Sequence, residues 1–254
     1  MEGFLSQREK MIITIVIYLF QFRRGKTDVK EFEPGCQRPA GLKPELPAEA
    51  AADLEIKKGD VQKMIKVGKP APNFSAPAFY KGKFGEVSLA DYQGKWVMLC
   101  FYPGDFTFVW ATEVSAVAEK YPEFKKLGAE VLSISVDSIY VHKIWNDNEL
   151  SKMIEKDIPF PMLSDQSGAI GRLYGVYNEE AGVQDRGRFL IDPDGIVQAF
   201  EVMTPPVGRN VQEALRQIKA FQLVRKSKGT EATPAGWQPG KQVLHPNVDL
   251  VGNV

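Results

Sequence analysis

Four side chains in this 254-residue sequence have the types that do thiol or metal chemistry: Cys36, Cys100 and two histidines. A thiol becomes a nucleophile only as the thiolate, which needs an electropositive and accessible setting. Neither cysteine has one. Cys100 lies inside the apolar run 96–102 (WVMLCFY) and reads as a small core hydrophobe. Cys36 follows the turn signal Pro34-Gly35 in irregular chain and reads as exposed and unpaired. The four residues are scattered without ligand spacing, which argues against a zinc cluster. Two cysteines also cannot build the dense disulfide framework of a small secreted scaffold. His142 falls on a predicted helix with no cysteine or carboxylate motif beside it, so it reads as structural.

Composition narrows the function classes further. Lys+Arg and Asp+Glu both number 32, so the net charge is zero. A nucleic-acid-coating protein would show a basic excess, and a disordered adaptor a charged one. With 44% hydrophobic and 25% charged residues, the chain has the make-up of a soluble globular protein.

The elements that must position any site alternate in type. Residues 96–102 suit a strand buried on both faces. Residues 112–127 predict a helix, with Val114, Val117, Ala118 and Tyr121 on one face, a kink at Pro122 and a stop at Gly128. Residues 130–136 (EVLSISV) predict a second strand and 138–154 a second helix. A short strand at 160–163 and a short helix at 166–174 follow. The strands 188–191 and 196–202 flank Asp192-Pro193-Asp194-Gly195, a hairpin signal, and 207–224 predicts a final helix. This pattern implies an α/β sheet with helices on both faces. No internal repeat is present. Beyond Val224 the chain is a Pro- and Gly-containing arm that must be tied down to be ordered.

The first 63 residues have a different texture. Residues 11–22 (MIITIVIYLFQF) would span about 18 Å as a helix, short of the roughly 30 Å hydrocarbon core. Arg23, Arg24 and Lys26 follow where a signal peptide would carry small residues. Pro34, Pro39, Pro44 and Pro47 give the next stretch the composition of a linker. Lys58-Gly59-Asp60 can be encoded by a purine-rich ribosome-binding sequence just upstream of Met64, so Met64 is expected to be the natural start.

One segment decides the functional reading. Residues 101–113 read FYPGDFTFVWATE. They resemble the active-site motif F-Y-P-x-D-F-T-F-V-C-P-T-E of the peroxiredoxins, in the alkyl hydroperoxide reductase/thiol-specific antioxidant group. Further segments agree in order: Ser135-Val136-Asp137-Ser138, His142-Lys143-x-Trp145, Arg186-Gly187-x-Phe189-x-Ile191-Asp192-Pro193-Asp194-Gly195, Val207-Gly208-Arg209 and Pro234-Ala235-Gly236-Trp237. The resemblance covers residues 65–254. It implies a thioredoxin-like α/β fold with a central mixed sheet, and a thiolate at a helix N-terminus that attacks the peroxide O–O bond and becomes a sulfenic acid. By resemblance Pro103 shields that thiolate, Thr107 hydrogen-bonds thiolate and peroxide, and Arg186 stabilises both. Glu113 orients the arginine network, and Arg209 is its second member.

The nucleophile position itself reads Trp110, and indole offers one N–H donor and no nucleophile. Ala111 stands where the family has Pro. Thr233 stands where two-cysteine members carry the resolving Cys. Three readings of Trp110 follow. A UGA selenocysteine codon can be written as Trp; the other tryptophans, Trp96, Trp145 and Trp237, sit where the family commonly has Trp. Alternatively the chain is a catalytically inactive scaffold or holdase-like binding protein. The third reading is a generic thioredoxin-like binding module.

The resemblance implies reduction of hydrogen peroxide and alkyl hydroperoxides with thiol-derived electrons from a thioredoxin-like or flavoprotein disulfide reductase. No metal, flavin or nucleotide motif is present in the sequence, so no metal, cofactor or nucleic acid is expected; the resemblance implies a homodimer or ring of dimers, and a cytoplasmic location is expected. The expected division is an extension at 1–63, a catalytic domain at 64–224 and an arm at 225–254. That arm is expected to pack on a neighbouring subunit.

Overall fold

The computed structural model describes residues 30–31 and 65–252. The apolar run 11–22, Cys36 and Met64 lie outside the described residues. Strand β4 (Trp96–Phe101) is the centre of the molecule, and all six of its residues are buried. Alternation sends Met98 and Cys100 to one face of the sheet and Val97, Leu99 and Phe101 to the other. Each face carries its own apolar cluster, so a side chain such as Leu99 contributes about 1.5–3 kcal/mol by leaving water.

The other strands are β1 (Lys30–Glu31), β2 (Ser75–Tyr80), β3 (Lys83–Ser88), β5 (Ala129–Ser135), β6 (Met162–Ser164), β9 (Arg186–Ile191) and β10 (Val197–Met203). They form one sheet in the order β1-β3-β2-β6-β5-β4-β9-β10. β4, β5 and β6 are parallel, and the flanking pairs are antiparallel, so the sheet is mixed. β7 (Tyr177–Asn178) and β8 (Val183–Gln184) make a separate small ribbon. The helices are α1 (Phe108–Lys126), α2 (Ile139–Trp145), α3 (Ser151–Ile154), α4 (Ala169–Leu173) and α5 (Val211–Lys226). α1, α2 and α5 pack on the Met98 face, while α4 covers the other. No helix among the described residues is long and apolar enough to cross a membrane.

Four differences from the sequence reading have physical reasons. α1 starts at Phe108 rather than at residue 112. Phe108 is 94% exposed, so the apolar periodicity that marks the helix does not extend over its first turn. The stretch 138–154 is three pieces: Ser138 caps α2, and a widened π-turn at Asn146–Leu150 separates α2 from α3. Buried Asn146 bonds Asp157 and the Ile158 N–H there, outside the helix. α5 starts at Val211, because Asn210 caps it by accepting from the N–H groups of Gln212 and Glu213. The hairpin β2–β3 has no counterpart in the reading. Its strand SAPAFY is short of β-branched residues and contains Pro77, and burial of Ala76 and Ala78 rather than propensity holds it.

The arm folds back on its own chain. Trp237 is buried, its carbonyl accepts from Arg216 of α5 at 3.0 Å, and its indole N–H donates to the Lys241 carbonyl at 3.1 Å. Ala232 and Leu244 pair across the arm. At Trp237 the arm is supported by α5 of the same chain.

Candidate active site

Between β4 and α1 the chain makes a tight loop. Tyr102 closes it by donating its hydroxyl to Asp105 Oδ1 at 2.7 Å. The Asp105 N–H donates to Asp137 Oδ2 at 2.8 Å, and Asp105 Oδ2 meets His142 Nδ1 at 2.8 Å. Phe106 sits between these anchors with φ +57°, a left-handed conformation costly for a bulky side chain. Its ring packs on Trp145. Thr107 then donates its hydroxyl to the Gly104 carbonyl at 2.8 Å, while its extended backbone opens α1. Pro103 heads this loop.

Trp110 is therefore in the first turn of α1, where backbone N–H groups lack helical partners and the helix dipole favours an anion. Its side chain is 1% exposed. The ring stacks on Tyr102 at 4.2 Å between centroids, and the Arg209 guanidinium lies 5.2 Å from its centre. Its Nε1–H is buried without an acceptor among the described residues. The buried indoles of Trp145 and Trp237 each donate, to Glu149 Oε2 at 2.7 Å and to the Lys241 carbonyl at 3.1 Å.

Glu113, one turn on, is buried and joins the two arginines. Arg186 Nη1 donates to its Oε2 at 2.6 Å, and Arg209 Nε to its Oε1 at 3.0 Å. The Arg209 backbone N–H also donates to Oε1, at 2.6 Å. Arg186 Nε donates to the Pro205 carbonyl at 2.6 Å. The loop between β10 and α5 is thus what brings Arg209 and the Pro205 carbonyl to the site. Two guanidiniums against one carboxylate leave a net positive charge beside residue 110, which favours an anion there.

The fold gathers Trp110, Thr107, Glu113, Arg186 and Arg209 around the start of α1, with Pro103 in the loop before it. Thr233 stands in the arm between Ala232 and Pro234, outside this group. Cys100 faces the same small cavity as Trp110, Glu113, Arg188 and Arg209, a space of about 20 Å³. Burial pushes its thiol up to about 11, so it carries no thiolate at neutral pH.

His142 is a buried structural residue whose partner the sequence did not reveal. A carboxylate does stand beside it: Asp105, 37 positions upstream. His142 Nε2 faces the Leu163 carbonyl at 3.1 Å, so both ring nitrogens meet acceptors, an arrangement that favours the protonated ring. Burial works against that charge, but the Asp105 charge and hydrogen bond, Asp137 and the Leu163 carbonyl outweigh it and raise the pKa above the ordinary histidine value. Sequence reasoning also passed over Arg188. The two-residue alternation of β9 was its signal, since Arg186 and Arg188 share a face.

Comparison with known proteins identifies the family. Residues 67–200 match the model of the AhpC/TSA family, and residues 220–253 that of the C-terminal domain of 1-Cys peroxiredoxin. The chain is 70% identical over 191 residues to the selenocysteine-containing peroxiredoxin PrxU of Peptoclostridium acidaminophilum, covering 75% of this chain and 94% of that protein. It is 42% identical over 191 residues to alkyl hydroperoxide reductase C of Bacillus subtilis (strain 168), covering 75% of this chain and all of that protein. The reduced 2-Cys peroxiredoxin of Plasmodium vivax superposes with a TM-score of 0.68 at 39% identity, over 72% of this chain and 94% of the other.

Proposed function

The chain belongs to the AhpC/TSA peroxiredoxin family, and from that premise we propose that residue 110 is the peroxidatic chalcogen, a selenocysteine written as Trp110. The fold is thioredoxin-like, and the enzyme class is a thiol- or selenol-dependent peroxidase. Its substrate is a hydroperoxide, and its electrons come from a thiol. The reaction at residue 110 takes one oxygen from the substrate. The selenolate attacks the terminal peroxide oxygen, the O–O bond breaks, and the leaving alkoxide or hydroxide takes a proton. Residue 110 is left as a selenenic acid.

In this reading each neighbour has a task. The net positive charge of Arg186, Glu113 and Arg209 and the free N–H groups of α1 keep residue 110 anionic. Arg186 and the Thr107 hydroxyl orient the peroxide, and Pro103 shields the nucleophile from water. Thr233 has no chalcogen, so an external thiol completes the cycle. A thioredoxin-like or flavoprotein disulfide reductase regenerates that thiol. Residues 64–224 form the catalytic domain, 225–254 the arm and 1–63 an extension upstream of the native start. The protein works in the cytoplasm as a homodimer or ring of dimers.

The observation that carries the selenocysteine reading is the orphaned indole N–H. Leaving a buried donor unpaired costs about 1–3 kcal/mol, whereas the buried indoles of Trp145 and Trp237 are both paired. Codon 110 is expected to be UGA, and selenium to be found by mass spectrometry in the native protein. Trp110→Cys is expected to consume peroxide with excess thiol. A UGG codon rejects the reading.

The stack of Trp110 on Tyr102 and under Arg209 favours a second reading, an inactive scaffold or holdase-like protein whose pocket the indole fills. Under that reading, protein with a verified Trp110 consumes no peroxide above background.

A further inference from the structure

The loop that carries Pro103 and Thr107 is anchored by one buried carboxylate. Asp105 accepts from the Tyr102 hydroxyl through Oδ1 and meets His142 Nδ1 through Oδ2. Both side chains of the Asp105–His142 pair are fully buried. Phe106 follows at φ +57°, and the next residue, Thr107, has its hydroxyl tied back to the Gly104 carbonyl. A left-handed phenylalanine persists only where its surroundings over-determine it. His142 supplies the fixed end of that constraint. It belongs to α2, and its Nε2 faces the carbonyl of Leu163 in β6, inside the sheet. The loop is thus moored through Asp105 and His142 to the sheet.

The charges facing the ring are of one sign. Asp105 comes from the loop and Asp137 from the turn after β5, where it accepts from the Asp105 N–H. Tyr102 stands at the end of β4. On α2 itself, Lys143 turns to Asp147. The hairpin β2–β3 meets α2 through the rings of Phe79, Phe84 and Tyr140. Among the described residues, His142 is the cation paired with Asp105. A ring with one proton cannot donate to both Asp105 and Leu163. Losing the second proton also leaves the Asp105 carboxylate without its counter-charge beside Asp137.

We propose that His142 is a positioning residue for the peroxidase site: acting through Asp105, its imidazolium holds the loop 103–107 in place and so sets where Thr107 and the start of α1 stand. This rests on the reading of that segment as a peroxidase site with a chalcogen at residue 110. Deprotonation of the ring loosens the mooring, lets Phe106 leave its strained conformation and displaces Thr107.

The test has two arms. In the full chain with Trp110, a pH titration by NMR follows the His142 ring and the backbone amides of Phe106 and Thr107. These amides are expected to shift with the midpoint of the ring, while amides in the middle of β4 and β5 stay still. Loop amides that ignore the titration of the ring overturn the proposal, and this arm needs no variant to fold.

In Trp110→Cys protein, the rate of the first reaction with hydrogen peroxide is measured against pH. It is expected to fall by about tenfold to a hundredfold as the ring loses its proton, the scale of a misplaced reacting group. His142→Gln should give a low rate without this alkaline limb. Asp105→Asn removes the charge that favours the imidazolium and should move the limb to lower pH, which a merely structural histidine would not do. An alkaline limb unchanged in both variants overturns the proposal. If no variant consumes peroxide, the peroxidase reading falls, and the loop amides alone decide whether His142 positions the loop.

Discussion

Glu113 is the residue on which the site turns. It is the only counter-charge given to both Arg186 and Arg209 among the described residues. Glu113→Gln keeps the shape and removes the charge, leaving two buried guanidiniums uncompensated. The expected loss is about 3–5 kcal/mol, measured by equilibrium urea unfolding. A loss under about 1 kcal/mol would show that the arginines find other partners or water.

His142 carries the pH dependence at the same scale. Its folded pKa is raised, so the folded state holds the proton more tightly than the unfolded chain. Its stabilising contribution is complete below the unfolded value, about 6.5, and is lost as pH rises through the folded value. The unfolding midpoint should therefore fall with rising pH across that window. His142→Gln should flatten this slope, and an unchanged slope would assign it to another group. The sequence showed His142 as structural but not why, because its partner Asp105 is distant along the chain and adjacent only in space.

At the scale of elements, β9 shows how closely the strand is packed around its arginines. A Cβ on Gly187 would come within 2.7 Å of Val176 Cγ1 and 3.1 Å of Phe189 Cε2. The Gly187 carbonyl also accepts from Arg209. Gly187→Ala is expected to cost about 1–3 kcal/mol by overpacking, seen as a lower melting temperature. An unshifted melting curve would show that Val176 can yield. The strands β4, β5, β9 and β10 and the hairpin between the last two were legible from apolar runs and the Asp-Pro-Asp-Gly turn. The start of α1 was not. Its first turn is capped by backbone geometry and presents exposed Phe108, so no periodic stripe announces it.

The described residues form two apolar clusters divided by one mixed sheet, with the arm pinned to α5 by Trp237. Beyond that pin most of the described arm is exposed. If its remaining surface serves assembly, a chain ending at Ser227 should form particles of fewer protomers in light scattering than the full chain. An unchanged number of protomers would confine the arm to an intramolecular role. The arm's polar, Pro- and Gly-containing composition marked it as a segment needing support, while the identity of that support depended on where α5 came to lie.

The sequence by itself determined the family and the mixed α/β fold, and it supplied the positions proposed for the chemistry. Those are encoded in local runs and in a motif whose spacing is read along the chain. Tertiary structure alone decided that Arg186 and Arg209 meet on Glu113, that Asp105 meets His142, and that the Trp110 indole is buried with its N–H unpaired. The physical reason is distance. Charge pairing and donor satisfaction depend on side chains 37 to 96 positions apart, which only the packed sheet and its helices bring within hydrogen-bonding reach.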